Sequence, residues 1–332
     1  MVVAAQEEKS IGASTMRHAR IRPDWRDTWH HCYNRTVGTS ADRPLGDVEK
    51  EAFVRILRRV AALYTVRVVA YQLMSNHFHL LVQAPMEMPS EEETCRRYEA
   101  FHAGKKVLLA GSPACRQWQA RLRDVSWFMR HVQHLWTAWY NRNQPVRRRG
   151  PLWADRFKNT ILENGAAVWA CWTYIERNPV RAGMVADPAD YRFCSYGIWA
   201  QTGRHPFEEA VLQCLLPALP APLQELPLED LRANLRQEFA RLAARDARQT
   251  EDATCAATEK AGRPEPFALA ATRRVRHWTD GLVIGSALFV REIMRRARPA
   301  ANIERHRLDK SADGPDGAMQ ICSWRRLRVV RT

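Results

Sequence analysis

Hydrophobic and polar positions divide the first part of the chain into short extended runs and longer periodic ones. Residues 29–36, with aromatic and β-compatible side chains, predict a first strand. Phe53, Ile56, Leu57, Val60 and Tyr64 recur at helical spacing behind Asp47, so a helix capped by Asp47 is expected next. Residues 66–74 and 80–82 are apolar runs flanking Ser75 and Asn76, the pattern of adjacent strands joined by a short turn. A long helix is expected over 121–143, where Val125, Phe128, Met129, Val132, Leu135 and Trp136 share one side. Pro145 and Gly150 mark a turn, 152–162 reads as a fourth strand, and 166–177 reads as a helix stopped by Asn178 and Pro179.

This series is the split βαβ arrangement of an α+β, ferredoxin-like domain with an extra helix after its last strand. It predicts an antiparallel four-stranded sheet with helices on one face and the other face free for a ligand or a second subunit. Beyond about residue 203 the composition shifts. Residues 215–227 are rich in Pro, Leu and Ala and read as a linker; 231–248 have helical spacing; 249–264 are polar and read as flexible. A helix over 287–296 with Ser286 as its N-cap is expected near the C-terminus. The expected organisation is a flexible basic arm over 1–24, a main domain over 25–203, a linker and helix over 204–264, and a small basic unit over 265–332. The extension is expected to be mostly helical.

Composition narrows the partners. The chain has 332 residues, 46% of them hydrophobic, which is globular rather than disordered. A formal net charge of +15 points to a polyanionic partner, nucleic acid first and an acidic membrane surface second. No run approaches the length of a membrane span, so no membrane is expected. The first ten residues lack a basic region followed by an apolar stretch, so no secretion signal is expected. The eight cysteines form no C-x-x-C pair, which argues against a zinc knuckle or a disulfide framework and for a reducing, cytoplasmic setting.

The candidate chemistry starts at His77-Phe78-His79. Strand alternation points both imidazoles one way and Phe78 the other, making half of a metal site. Two histidines at this spacing are often only packed strand residues, so a partner is needed elsewhere. The helix over 166–177 supplies one: Tyr174 as a phenolic nucleophile, with Asn178 four residues on as a third ligand. The matching reaction is phosphodiester transfer through a phosphotyrosine ester, with the cation polarising the scissile phosphate. A phenol with a pKa near ~10 needs a nearby base or positive charge, and Arg177 and Arg181 are local candidates. Tyr140, beside Asn141 on the preceding helix, is the nearest rival nucleophile. Arg147, Arg148 and Arg149, with Arg156 and Lys158 on the fourth strand, form the densest basic cluster and would hold phosphates; Trp153 and Phe157 would stack on bases or pack in the core. Arg291, Arg295, Arg296 and Arg298 are a second basic surface.

Residues 73–81 around the two histidines, 150–158, and 174–185 resemble the REP-associated tyrosine transposases of the HUH single-strand transposase superfamily, over about 24–200. The resemblance implies a ferredoxin-like catalytic domain over 25–203, often dimeric, acting on single-stranded DNA near hairpins. It implies a divalent metal, Mg2+ or Mn2+. By position His77 and His79 match the ligand pair, Tyr174 the nucleophile and Asn178 the third ligand, where relatives often carry Gln. Such a protein would be cytoplasmic and nucleoid-associated. A second reading is a nucleic-acid-binding protein that keeps the fold without the chemistry. A histidine-based phosphohydrolase would need a third alternating His after His79, and position 81 is Leu81.

Overall fold

The computed structural model describes residues 20–39, 42–255, 278, 281–297, 309–310 and 321–325. In chain order these form β1 (Thr28–Arg35), α1 (Asp47–Leu63), β2 (Arg67–Leu73), β3 (His77–Ala84), α2 (Glu91–Phe101), α3 (Pro113–Leu122) and α4 (Val125–Asn143). There follow β4 (Lys158–Leu162), α5 (Ala166–Glu176), α6 (Asn178–Arg181), α7 (Ser195–Thr202), α8 (Glu208–Ala210) and α9 (Leu228–Cys255). The C-terminal part adds β5 (Gly281–Ser286), α10 (Ala287–Ala297), β6 (Asp309–Lys310) and β7 (Ile321–Arg325). The protein is α+β, built on one mixed sheet.

The strands lie in the order β2-β3-β1-β4-β5-β7-β6. The first four are antiparallel neighbours. The sheet expected to end at the fourth strand continues, because β5 adds parallel to β4 and β7 pairs back onto β5. The extension expected to be mostly helical therefore also contributes strands. Apolar Val283 and Ile284 sit opposite Ile161 and Leu162, so extending the sheet buries the edge that β4 would otherwise expose.

Helices cover both faces, not one. Phe53 of α1 packs on Phe78, while Tyr174 of α5 packs on His79. Phe78 and His79 are consecutive strand residues and point to opposite faces. The face expected to be free is thus roofed by α5, a helix whose residues 170–176 are all buried. α5 is apolar nearly all round, the mark of a helix enclosed on several sides.

Several boundaries move for local reasons. The cap of α1 is Gly46, whose N–H is met by the Glu49 carboxylate at 3.0 Å, and Asp47 is the first helical residue. The fourth strand begins at Lys158 and not at 152. Before it, an isolated bridge keeps Thr36 beside Trp153, with the Val37 N–H on the Leu152 carbonyl at 2.8 Å and the Ala154 N–H on the Arg35 carbonyl at 3.0 Å. Between that bridge and β4, Asn34 Nδ2 donates to the Asp155 carbonyl and the Asp155 carboxylate accepts from the Arg156 N–H, which interrupts the ladder. α2 and α3 carry too few apolar positions to predict; Ser90 and Ser112 cap them. The run read as a linker folds into tight turns that bury Leu215, Ala218 and Leu219. Part of the segment read as flexible, 249–255, continues α9. Ser286 does cap α10, accepting from Phe289 N–H at 3.2 Å. Arg298 lies outside the described residues. Among the described residues no helix is long and apolar enough to cross a membrane.

α5 is tied to α7 through Glu176, which is fully buried. Its carboxyl group accepts from the Ser195 hydroxyl, from the Tyr196 N–H at 3.1 Å and from the Trp172 indole N–H at 3.3 Å. Burial pushes its pKa up to about 7, against the pull of those donors. Glu176→Ala leaves three buried donors unmet and should cost about 3 kcal/mol or more. Glu176→Gln keeps an acceptor and should lose less. Urea midpoints at pH 7 check both; equal midpoints for the two variants would remove Glu176 as the tie.

Candidate active site

His77 and His79 lie on one face of β3, with ring centroids 5.2 Å apart and planes at 87°. The β1–β3 register sets Tyr33 opposite His79 and His31 opposite Leu81, so β1 adds Tyr33 and His31 to the same face. α5 brings Tyr174 from above. Its ring meets His79 edge-on at 5.6 Å and His31 at 6.0 Å. Tyr33 is closer still, 4.9 Å from His79 and 5.7 Å from His77.

The Tyr174 and His79 end of this cluster is buried, while His77 and Tyr33 are half-buried. Tyr174 and His79 are each 1% exposed. The Tyr174 hydroxyl has no hydrogen-bond partner among the described residues. Burial raises the phenol pKa, and Arg181, whose guanidinium lies 5.3 Å from the ring centroid, opposes the rise. Trp278 stacks on the Tyr174 ring at 5.3 Å and 26°. Its backbone carbonyl accepts from the Thr160 hydroxyl at 3.1 Å and meets His31 Nδ1 at 3.1 Å. Trp278 itself is fully buried, so a residue from the C-terminal region forms part of the wall.

The histidines are neutral at pH 7. Burial takes His77 and His31 down to about 4, with Arg35 and Arg43 adding to the effect at His77. His79 falls well below its usual value, first from burial and then from His31, His77 and Arg181. Neutral imidazole is the form that ligates cations. His77 meets the Asn76 amide oxygen through Nδ1 at 2.7 Å, and His79 meets His31 Nε2 through Nδ1 at 2.9 Å. Both rings therefore use Nδ1 for these protein contacts, and among the described residues Nε2 of each has no hydrogen bond.

Asn178 serves first as a terminator. Its Nδ2 donates to the carbonyls of Tyr174 at 2.9 Å and Ile175 at 3.3 Å, which closes the end of α5 and opens α6. The amide oxygen is what it has to offer a cation. Among the described residues no three His, Cys, Asp or Glu side chains cluster as a metal set. Two imidazole nitrogens and an amide oxygen, with water as further ligands, are a donor set that suits a divalent ion of the manganese kind.

The expected DNA-contacting residues are dispersed. Arg147 and Arg149 are exposed on the loop before β4. Arg148 is tied to Asn141 Oδ1 at 3.0 Å and the Pro151 carbonyl at 2.8 Å. Arg156 and Arg181 are exposed, and so is Lys158, which pairs with Tyr33 and so shares the histidine face. Arg177 is 2% exposed, so its guanidinium lies inside the protein. Trp153 is half-buried on the opposite face, 5.1 Å from both Phe78 and Trp136, and Phe157 is buried beneath the Arg20 guanidinium. Tyr140 belongs to that opposite layer, 5.4 Å from Trp136. Sequence reasoning missed His31 and Trp278. His31 was findable once β1 was paired with β3, since His31 and Tyr33 then alternate onto the face of His79.

No family model matches the chain, and no curated protein matches it. The chain is similar to a solved structure of a REP-associated tyrosine transposase bound to a REP hairpin, at 15% identity and a TM-score of 0.39, over 58% of this chain and 90% of that one.

Proposed function

We propose that this chain cleaves and rejoins single-stranded DNA through a phosphotyrosine intermediate on Tyr174, with a divalent cation held by His77, His79 and Asn178. In this reading β2-β3-β1-β4 is the ferredoxin-like core of an HUH-type, REP-associated transposase, and α5 delivers the nucleophile to its histidine face. The observation that carries the reading is the meeting of Tyr174 and His79, edge to face, from a strand and a helix far apart in the chain. A bound Mg2+ or Mn2+ would polarise the scissile phosphate and offset the charge that develops there. Tyr174 Oη attacks phosphorus and gives up its proton; the phosphate's bond to the leaving strand breaks, and that oxygen departs as a hydroxyl. Arg181 favours the phenolate. The same ester is the substrate for rejoining, so no nucleotide is consumed. Trp278 stacks on the Tyr174 ring.

A second reading is a DNA-binding protein of this fold without chemistry. It is favoured by the closed, raised-pKa phenol under Trp278. Incubating the protein with a labelled hairpin-flanked single strand and Mn2+, then denaturing, separates the two. A covalent protein–DNA band supports transfer; binding without a band supports the second reading.

The net charge of +15 and the exposed Arg147 and Arg149 make the loop before β4 the expected phosphate-contacting surface. Replacing both with Ala should weaken binding of all sequences alike. The slope of log affinity against log salt should fall by about 1.4, since each single-strand phosphate contact contributes about 0.7. An unchanged slope would take this loop out of the interface.

A further inference from the structure

We infer that His31 is a positioning residue of this site: its ring links the Trp278 carbonyl to His79 and holds His79 with its proton on Nδ1 and its lone pair on Nε2. The meaning of that lone pair for a cation rests on the proposed function; the hydrogen-bond relay does not.

The relay begins at an atom with one possible role. A backbone carbonyl only accepts, so His31 Nδ1, 3.1 Å from the Trp278 oxygen, carries a proton and donates. Thr160 donates to the same oxygen and fixes its direction. His31 is fully buried, and among the described residues its neighbours are rings and this carbonyl, with no carboxylate against it. A second proton on the ring would be a buried charge without a counter-charge. Nε2 therefore bears a lone pair and accepts from His79 Nδ1 at 2.9 Å, with the two ring planes within 8° of parallel. His79 is buried too, with no carboxylate against it among the described residues; with its one proton on Nδ1, its remaining nitrogen, Nε2, carries the lone pair. Each assignment follows from the one before, and the chain starts at a backbone atom that has no flip or rotamer to choose.

The consequence is chemical. A neutral histidine in solution samples both tautomers, and only one of them offers Nε2 to a ligand. His31 removes that choice, as an outer partner of a ligating histidine does in metal sites generally. His77 reaches the same tautomer by another route, through Asn76. The relay also gives the C-terminal region a part in the site: Trp278 supplies the carbonyl that determines, through His31, which nitrogen of His79 is free.

The test uses the full chain, labelled with 15N-histidine and free of metal. The His79 signals are identified by their loss in His79→Gln. A protonated nitrogen and one bearing a lone pair have well-separated 15N shifts, so the tautomer is read directly. The expected result is a single tautomer with Nδ1 protonated. His31→Phe keeps a ring but removes the acceptor; His79 should then populate both tautomers, and Mn2+ affinity measured by electron paramagnetic resonance should fall about 10–100-fold. Wild-type His79 with its proton on Nε2 overturns the inference, as does a His31→Phe protein whose His79 tautomer is unchanged. If the wild type shows the expected tautomer but binds no Mn2+, the relay stands and the cation reading fails. Should His31→Phe not fold, the wild-type spectrum alone decides.

Discussion

Tyr174→Phe will form no covalent adduct with a hairpin-flanked single strand, while still binding it. The adduct needs the phenolic oxygen as its ester atom, so the loss should be complete within detection, at least about 10³-fold. The ring stays, and with it the contacts to His79, His31 and Trp278. The oxygen removed is buried and has no hydrogen-bond partner among the described residues, so its loss should leave stability unchanged or raise it by about 1 kcal/mol. Phosphate contacts on the exposed arginines do not involve that hydroxyl, so binding should persist. A normal yield of adduct in Tyr174→Phe would sink the assignment. Suspicion would then pass to Tyr33, 4.9 Å from His79, and not to Tyr140, which packs with Trp136 on the other side of the sheet.

Acidification from pH 7 to about pH 4.5 should cost the protein several kcal/mol of stability. His30 and His31 are buried and sit at about 4, below the ~6.5 of an unfolded chain. Their stabilisation is fully present above about 6.5 and drains away as pH falls toward 4, because the unfolded chain takes up protons first. Each contributes about 2–3 kcal/mol over this range. His205, pushed down to about 3, acts in the same direction. Glu176 opposes them. Its pKa is raised to about 7, so the folded state gains a proton before the unfolded chain does, and acidification from about 7 to 4.5 recovers part of the loss. Urea midpoints at pH 7, 6, 5 and 4.5 check the net fall. Glu176→Gln removes the opposing contribution and should make the fall steeper. A midpoint that rises on acidification would mean these histidines are not buried neutral.

Much of the frame was readable from the chain alone. The alternation of His77, Phe78 and His79 put the imidazoles on one face and the phenyl ring on the other, since strand geometry allows nothing else. Helical spacing found α1, α4, α5 and the cap at Ser286. α2 and α3 were not readable, because short helices on a polar surface leave no apolar stripe. The sequence left open whether Trp153 and Phe157 stack on bases or pack in the core; Phe157 is buried, and Trp153 is half-buried against Phe78 and Trp136.

By itself, then, the sequence determined the strand that carries the histidines, the helix that carries Tyr174, and the positive charge of the whole. Periodicity is a local property, and each of these is local. The tertiary structure decided which distant elements meet. It set β1 beside β3, which brought His31 and Tyr33 to the face of His79. It added β5 to the edge of β4, beside which the carbonyl of Trp278 lies against Thr160 and His31, with its indole on Tyr174. Those meetings depend on strand register and on burial summed over the entire core, and no short window of sequence contains either.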